Sequence, residues 1–137
     1  MKITRTLVSA LALFLVTSCA GVPWGTEAEV DSWLAHDVYF DLVDDSPAAC
    51  DVLVEACWEL ADLEGIRFFA SGTRAKSIDH GVNDLGYDVS LHVFFIDEAA
   101  YDAYLIHPKH LKLVEDHLKS WASVRVFDSF VGAQFTR

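Results

Sequence analysis

His36-Asp37-Val38-Tyr39-Phe40-Asp41-Leu42-Val43 is the stretch from which the fold is worked out. Polar and apolar side chains alternate along it, the period of a strand with one face in a core and the other outside. Asp44-Asp45-Ser46-Pro47 follows and is turn chemistry that also opens a helix. Ser46 suits an N-cap, and Pro47 suits the first helical position, where its missing N–H costs nothing. Leu53, Val54, Cys57, Trp58, Leu60 and Ala61 recur at helical spacing, and Gly65 is a natural stop. Ile66 to Gly72 reads as a second strand, and polar Thr73 to Gly86 as an exposed loop. Tyr87 to Ile96 is a third strand, apolar on both faces and therefore central. Asp97-Glu98 starts a short helix, Ala99 to Leu105, and Pro108 starts another, with Leu111, Val114 and Leu118 in helical register and Trp121 at its end. Ser123 to Val131 is the last strand, and 132–137 reads as a frayed tail.

The order β-α-β-β-α-β, with its second helical stretch broken at Pro108, predicts an α+β, ferredoxin-like fold. Four antiparallel strands would carry the helices on one face. The other face then needs a cover. Tyr39, Phe69, His92, Phe94, Phe127 and Val131 fall out of step with the helix-side residues, and an aromatic patch of that extent is too large to leave in water. A homodimer through the sheet face is the simplest remedy.

The N-terminus addresses the compartment. Lys2 and Arg5 precede an apolar run, Leu7 to Val16, that is short of the roughly 20 residues of a membrane span and has the length of a signal-peptide core. Val16-Thr17-Ser18-Cys19 looks like the lipobox of bacterial lipoproteins, which predicts cleavage before Cys19 and a lipid on its thiol. Several acyl chains, at ~0.8 kcal/mol per buried methylene, make a long-lived anchor. The expected organisation is a leader over 1–18, a lipidated start and tether over 19–34, one domain over 35–131, and the tail. Trp24 and Trp33 suit either lipid headgroups or the domain surface. The expected location is the cell envelope, on a membrane facing the periplasm or exterior.

The chain carries a formal net charge of −11, and loss of Lys2 and Arg5 makes the remainder more acidic still. Such a surface repels phosphate backbones, so no nucleic-acid partner is expected. Cys50 and Cys57 are two helical turns apart, about 10.5 Å of rise, too far for a disulfide and better suited to a core. Asp79, His80 and Asp84 share a loop, and His107 and His110 are three apart, but none has a recognised metal-ligand spacing. Neither a metal nor a cofactor is expected. No Gly-rich phosphate loop and no nucleophile elbow is present.

Four pieces carry a family resemblance: His36 opening the first strand, Gly86-Tyr87-Asp88 opening the third, Tyr104-Leu105-Ile106-His107-Pro108-Lys109-His110 between the helices, and Val124-Arg125-Val126-Phe127-Asp128 in the last strand. Together they resemble the stress-responsive α/β barrel (Dabb) family across about residues 35–131. The resemblance implies two protomers packed sheet to sheet. It also implies a pocket between sheet and helices in each. Most members have no settled role; one plant member is a polyketide cyclase in which a tyrosine and a histidine do acid-base work. Tyr104 and His110 match those two, and His36 matches a pocket histidine. Val38, Phe40, Val89, Leu91, His107 and Val114 complete the implied lining. Val89 stands where the cyclase has a second histidine, and Val114 where it has a glycine that makes room for an alkyl tail.

An intramolecular aldol closure needs a base and an oxyanion donor. A neutral imidazole, with a pKa of about 6.5, suits the first and a phenol the second. The bland alternatives are that His107 caps the helix break, that His110 satisfies buried polar atoms, that His92 is a cross-strand packing residue, and that His80 and His117 face solvent. The expectation is a membrane-anchored, homodimeric small-molecule-binding or stress-related module for a small apolar or aromatic ligand. The alternative is an enzyme, cyclase or monooxygenase-like, using acid-base chemistry. A purely structural interaction protein is the third.

Overall fold

The computed structural model describes residues 32–132. The predicted leader, Cys19 and all of the tail but Gly132 lie outside the described residues. The elements are β1 (Trp33–Leu42), α1 (Pro47–Trp58), β2 (Ile66–Thr73), β3 (Val89–Phe95), α2 (Glu98–Leu105), α3 (Pro108–His117), a 3-10 turn (Leu118–Ser120) and β4 (Trp121–Val131). The sheet runs β2-β3-β1-β4 with every neighbouring pair antiparallel, the ferredoxin-like arrangement. Among the described residues no helix is long and apolar enough to cross a membrane.

Local chemistry sets the boundaries. Ser46 accepts the Ala49 N–H at 3.3 Å to start α1, and Asp97 accepts the Ala100 N–H at 2.8 Å to start α2. Alternate positions of β1 and β3 (Leu34, Val38, Phe40 and Leu42; Val89, Leu91, Val93 and Phe95) are buried under the helices. Leu53, Cys57 and Leu60 meet them from α1 and the turn after it. Cys50 and Cys57 are both buried free thiols, and burial pushes the Cys57 thiol up to about 11. Gly65 has φ +85°, and a Cβ there would lie 2.5 Å from the Ala100 Cβ, so only glycine lets the chain turn this close to α2. Its carbonyl accepts the Ile96 N–H, tying the start of β2 to the end of β3.

Several expectations are corrected. β1 begins at Trp33, inside the predicted tether, and the Arg67 guanidinium sits 6.0 Å from the Trp33 ring centroid. Trp121 opens β4 instead of closing a helix. β3 starts at Val89, two residues late, and β2 takes in Thr73. Phe69 belongs to the helix side: it pairs with Val93 and its ring lies 5.1 Å from Trp58 of α1. A register shift between Ile66 and Phe68 turns β2 over, so Phe68, partnered by Phe94, takes its place on the open face. Tyr39, His92, Phe94, Phe127 and Val131 lie on that face as expected.

Candidate functional site

The break between α2 and α3 is built by reassigning the backbone hydrogen bonds around Pro108. In an unbroken helix the Tyr104 carbonyl would accept from residue 108, but proline has no N–H. It accepts instead from His107 N at 3.0 Å and from Ile106 N. The Leu105 carbonyl would accept from Lys109, but that N–H is taken by His107 Nδ1 at 3.1 Å, making His107 the N-cap of α3. Leu105 O is therefore free, and His110 Nδ1 fills it at 3.0 Å. A carbonyl only accepts, so Nδ1 carries the proton and Nε2 of the neutral ring is a bare acceptor. Burial holds His110 below the ordinary imidazole range, which keeps the ring neutral near pH 7.

The break places Tyr104 and His110 side by side, ring centroids 4.6 Å apart, over the sheet. The Tyr104 side chain is buried, and desolvation pushes its phenol far above the ordinary value, so it stays a protonated donor. The His36 ring on β1 lies 5.9 Å from that of Tyr104. Asp128, directly opposite His36 in the β1–β4 register, accepts from His36 Nδ1 at 2.7 Å. Its other oxygen accepts from the Tyr101 hydroxyl at 3.2 Å.

These groups border a cavity of about 260 Å³ between the sheet and the α2–α3 pair. His36, Tyr101, Tyr104 and His110 form its polar part, and the rest of its wall is apolar: Val38, Phe40, Leu91, Leu105, Leu113, Val114, Trp121, Val124 and Val126. Seven of the residues expected there are brought together: Tyr104, His110, His36, Val38, Phe40, Leu91 and Val114. Two are not. Val89 is fully buried in the core beneath the helices, and His107 spends its ring on capping α3. Tyr101 and Asp128 were missed. Tyr101 precedes Tyr104 by one helical turn, a usable signal, whereas Asp128 becomes visible only once strand register is known.

A wider hollow of about 430 Å³ lies on the open sheet face among Asp37, Tyr39, Asn83, Asp84, Tyr87, Arg125 and Phe127. Its one cation, Arg125, already engages Asp84 and the Gly86 carbonyl, and that pairing holds the Asp84 carboxyl below its usual range. His92 on the same face bonds Asp37 at 2.6 Å, consistent with a cross-strand role. Among the described residues no cluster of His, Cys, Asp or Glu could hold a metal. The narrower cavity, with a buried phenol and two imidazoles facing apolar walls, has the makings of an acid-base or binding site.

The fold and cavity define a ferredoxin-like α+β protein with a small chamber between sheet and helices. The model of the Dabb family, described as Stress responsive A/B Barrel Domain, matches residues 34–131, and the chain belongs to that family. It is similar to a Dabb family protein with a ferredoxin-like fold from Mesorhizobium loti, at 25% identity over 72% of this chain and 95% of that one, with a TM-score of 0.59. It is also similar to a dimeric ferredoxin-like protein of unknown function from Jannaschia, at 26% identity over 72% of this chain and 99% of that one, TM-score 0.59. The hydroxynitrile lyase of Passiflora edulis shares the fold at 14% identity over 77% of this chain and 99% of that one, TM-score 0.62. Among curated protein sequences none matches.

Proposed function

We propose that this chain is a lipid-anchored, homodimeric small-molecule-binding module of the cell envelope, with its ligand held between sheet and helices by Tyr104, His110 and His36. One observation carries the binding part: an apolar cavity of about 260 Å³ whose polar groups gather around a phenol and two imidazoles. The homodimer is supported by the bare aromatic face, where Phe127 is 55% exposed, and by the dimeric Jannaschia relative. The anchor is supported by the Val16-Thr17-Ser18-Cys19 segment behind an apolar leader. Native mass spectrometry of the full chain purified gently from a bacterial envelope tests all three. The expected species is a dimer with an added small-molecule mass and a lipid increment that Cys19→Ala removes. A monomer refutes the sheet-to-sheet pairing, and an empty cavity under every condition refutes the binding role.

A second function, acid-base catalysis on the same ligand, is favoured by the His110 geometry. With Nδ1–H fixed on Leu105 O, Nε2 is a base beside a phenol that donates to a developing oxyanion. Tyr104→Phe is then expected to abolish turnover while leaving the melting temperature nearly unchanged.

A further inference from the structure

Resting on that cavity assignment, we propose that the chamber selects uncharged molecules bearing a hydroxyl (phenols, enols or alcohols) and rejects carboxylate or phosphate analogues of the same shape. No lysine and no arginine lines the cavity. Its two imidazoles have each committed Nδ1 to an acceptor, His36 to the Asp128 carboxylate and His110 to the Leu105 carbonyl. Both Nδ1 atoms must therefore be protonated, and Nε2 of the neutral His110 ring is an acceptor. Neither Nε2, nor the Tyr104 hydroxyl, has a hydrogen-bond partner among the described residues, and all three side chains border the chamber.

The polar end thus offers an acceptor, His110 Nε2, and a donor, the Tyr104 hydroxyl. A hydroxyl answers both kinds at once: its hydrogen goes to an imidazole nitrogen and its oxygen accepts from Tyr104. A carboxylate has no hydrogen to give. It would place its charge against the His110 Nε2 lone pair, with the Asp128 carboxylate just behind His36. Burying a charge without a partner is costly, and the net −11 of the chain discourages anions before they arrive. A plain hydrocarbon fits the walls but leaves the His110 nitrogen unanswered.

The test is calorimetric titration of the full chain at pH 7.5 with 4-methylphenol, toluene and 4-methylbenzoate, backed by saturation-transfer NMR. We expect toluene to bind about tenfold more weakly than 4-methylphenol, the worth of one hydrogen bond to a buried acceptor. The benzoate should be weaker than the phenol by about a hundredfold or more. Val126→Lys, which puts a cation into the wall at a half-exposed position, should raise the benzoate-to-phenol affinity ratio about tenfold. Benzoate equal to the phenol in the unaltered protein, or no gain from Val126→Lys, overturns the selectivity and leaves the cavity standing. Binding of none of the three overturns the cavity assignment and the selectivity with it.

Discussion

Gly65→Ala isolates the contact that seats α2, the helix carrying Tyr101 and Tyr104. Two costs can be worked out. Holding alanine at φ +85° takes an L-residue into the left-handed region, about 1–2 kcal/mol. The new methyl would stand 2.5 Å from the Ala100 Cβ, where carbon atoms prefer about 3.5–4.0 Å, so the helix must retreat by about 1 Å. Overpacking of that kind costs about 1–3 kcal/mol. The sum, about 2–5 kcal/mol, is a large share of the 5–15 kcal/mol typical of a domain. Urea denaturation of the full chain reads it directly. Ala100→Gly separates the two costs: it frees the contact but not the backbone, at about 1 kcal/mol for glycine in a helix. The double variant should therefore show a favourable coupling of about 1–3 kcal/mol. A single-variant loss under about 0.5 kcal/mol, or additive effects, would refute the close approach described here.

Three further outcomes are expected. Asp88→Ala should cost about 1–3 kcal/mol in urea, because the Asp88 carboxylate accepts the buried Leu42 N–H at 3.0 Å beside the β1–β4 irregularity; a neutral result would mean that water reaches that amide. His107→Ala should cost about 1 kcal/mol through the lost cap on Lys109 N, and His107→Asn should restore most of it. His110 sits below its ordinary pKa when folded, so below that ordinary value the unfolded chain binds more protons and stability falls with pH until the folded ring also protonates. The melting-temperature gap between the parent and His110→Gln should accordingly narrow from pH 7.5 to pH 5.5; parallel curves would show that His110 is not desolvated.

How much of this was legible depended on whether a residue's partners are close in sequence. The strand alternation from His36 onward, the Ser46-Pro47 helix start and the helix break at Pro108 are local signals, and each stands where expected. Their order was enough for the ferredoxin-like topology. Phe69 was assigned to the wrong face because one register shift near Ile66 inverts everything after it, and no residue type there announces the shift. Asp128 was invisible as a site residue for a related cause. Its meeting with His36 is set by antiparallel pairing across 92 positions, a fact of register and not of spacing. Val89 was placed in the pocket by resemblance alone, whereas its burial places it in the core with Phe95 and Leu53.

The bond from His110 to the Leu105 carbonyl has a consequence for how such a chamber can be altered. A main-chain acceptor is present whatever side chain occupies its residue, so the imidazole does not depend on the identity of any neighbour for its orientation. Side chains on the strands and on α3 can then be exchanged to reshape the interior while the imidazole keeps its aim. Orientation and shape are held by different parts of the chain: the backbone around Pro108 fixes the imidazole, and the side chains of the walls set the form of the space.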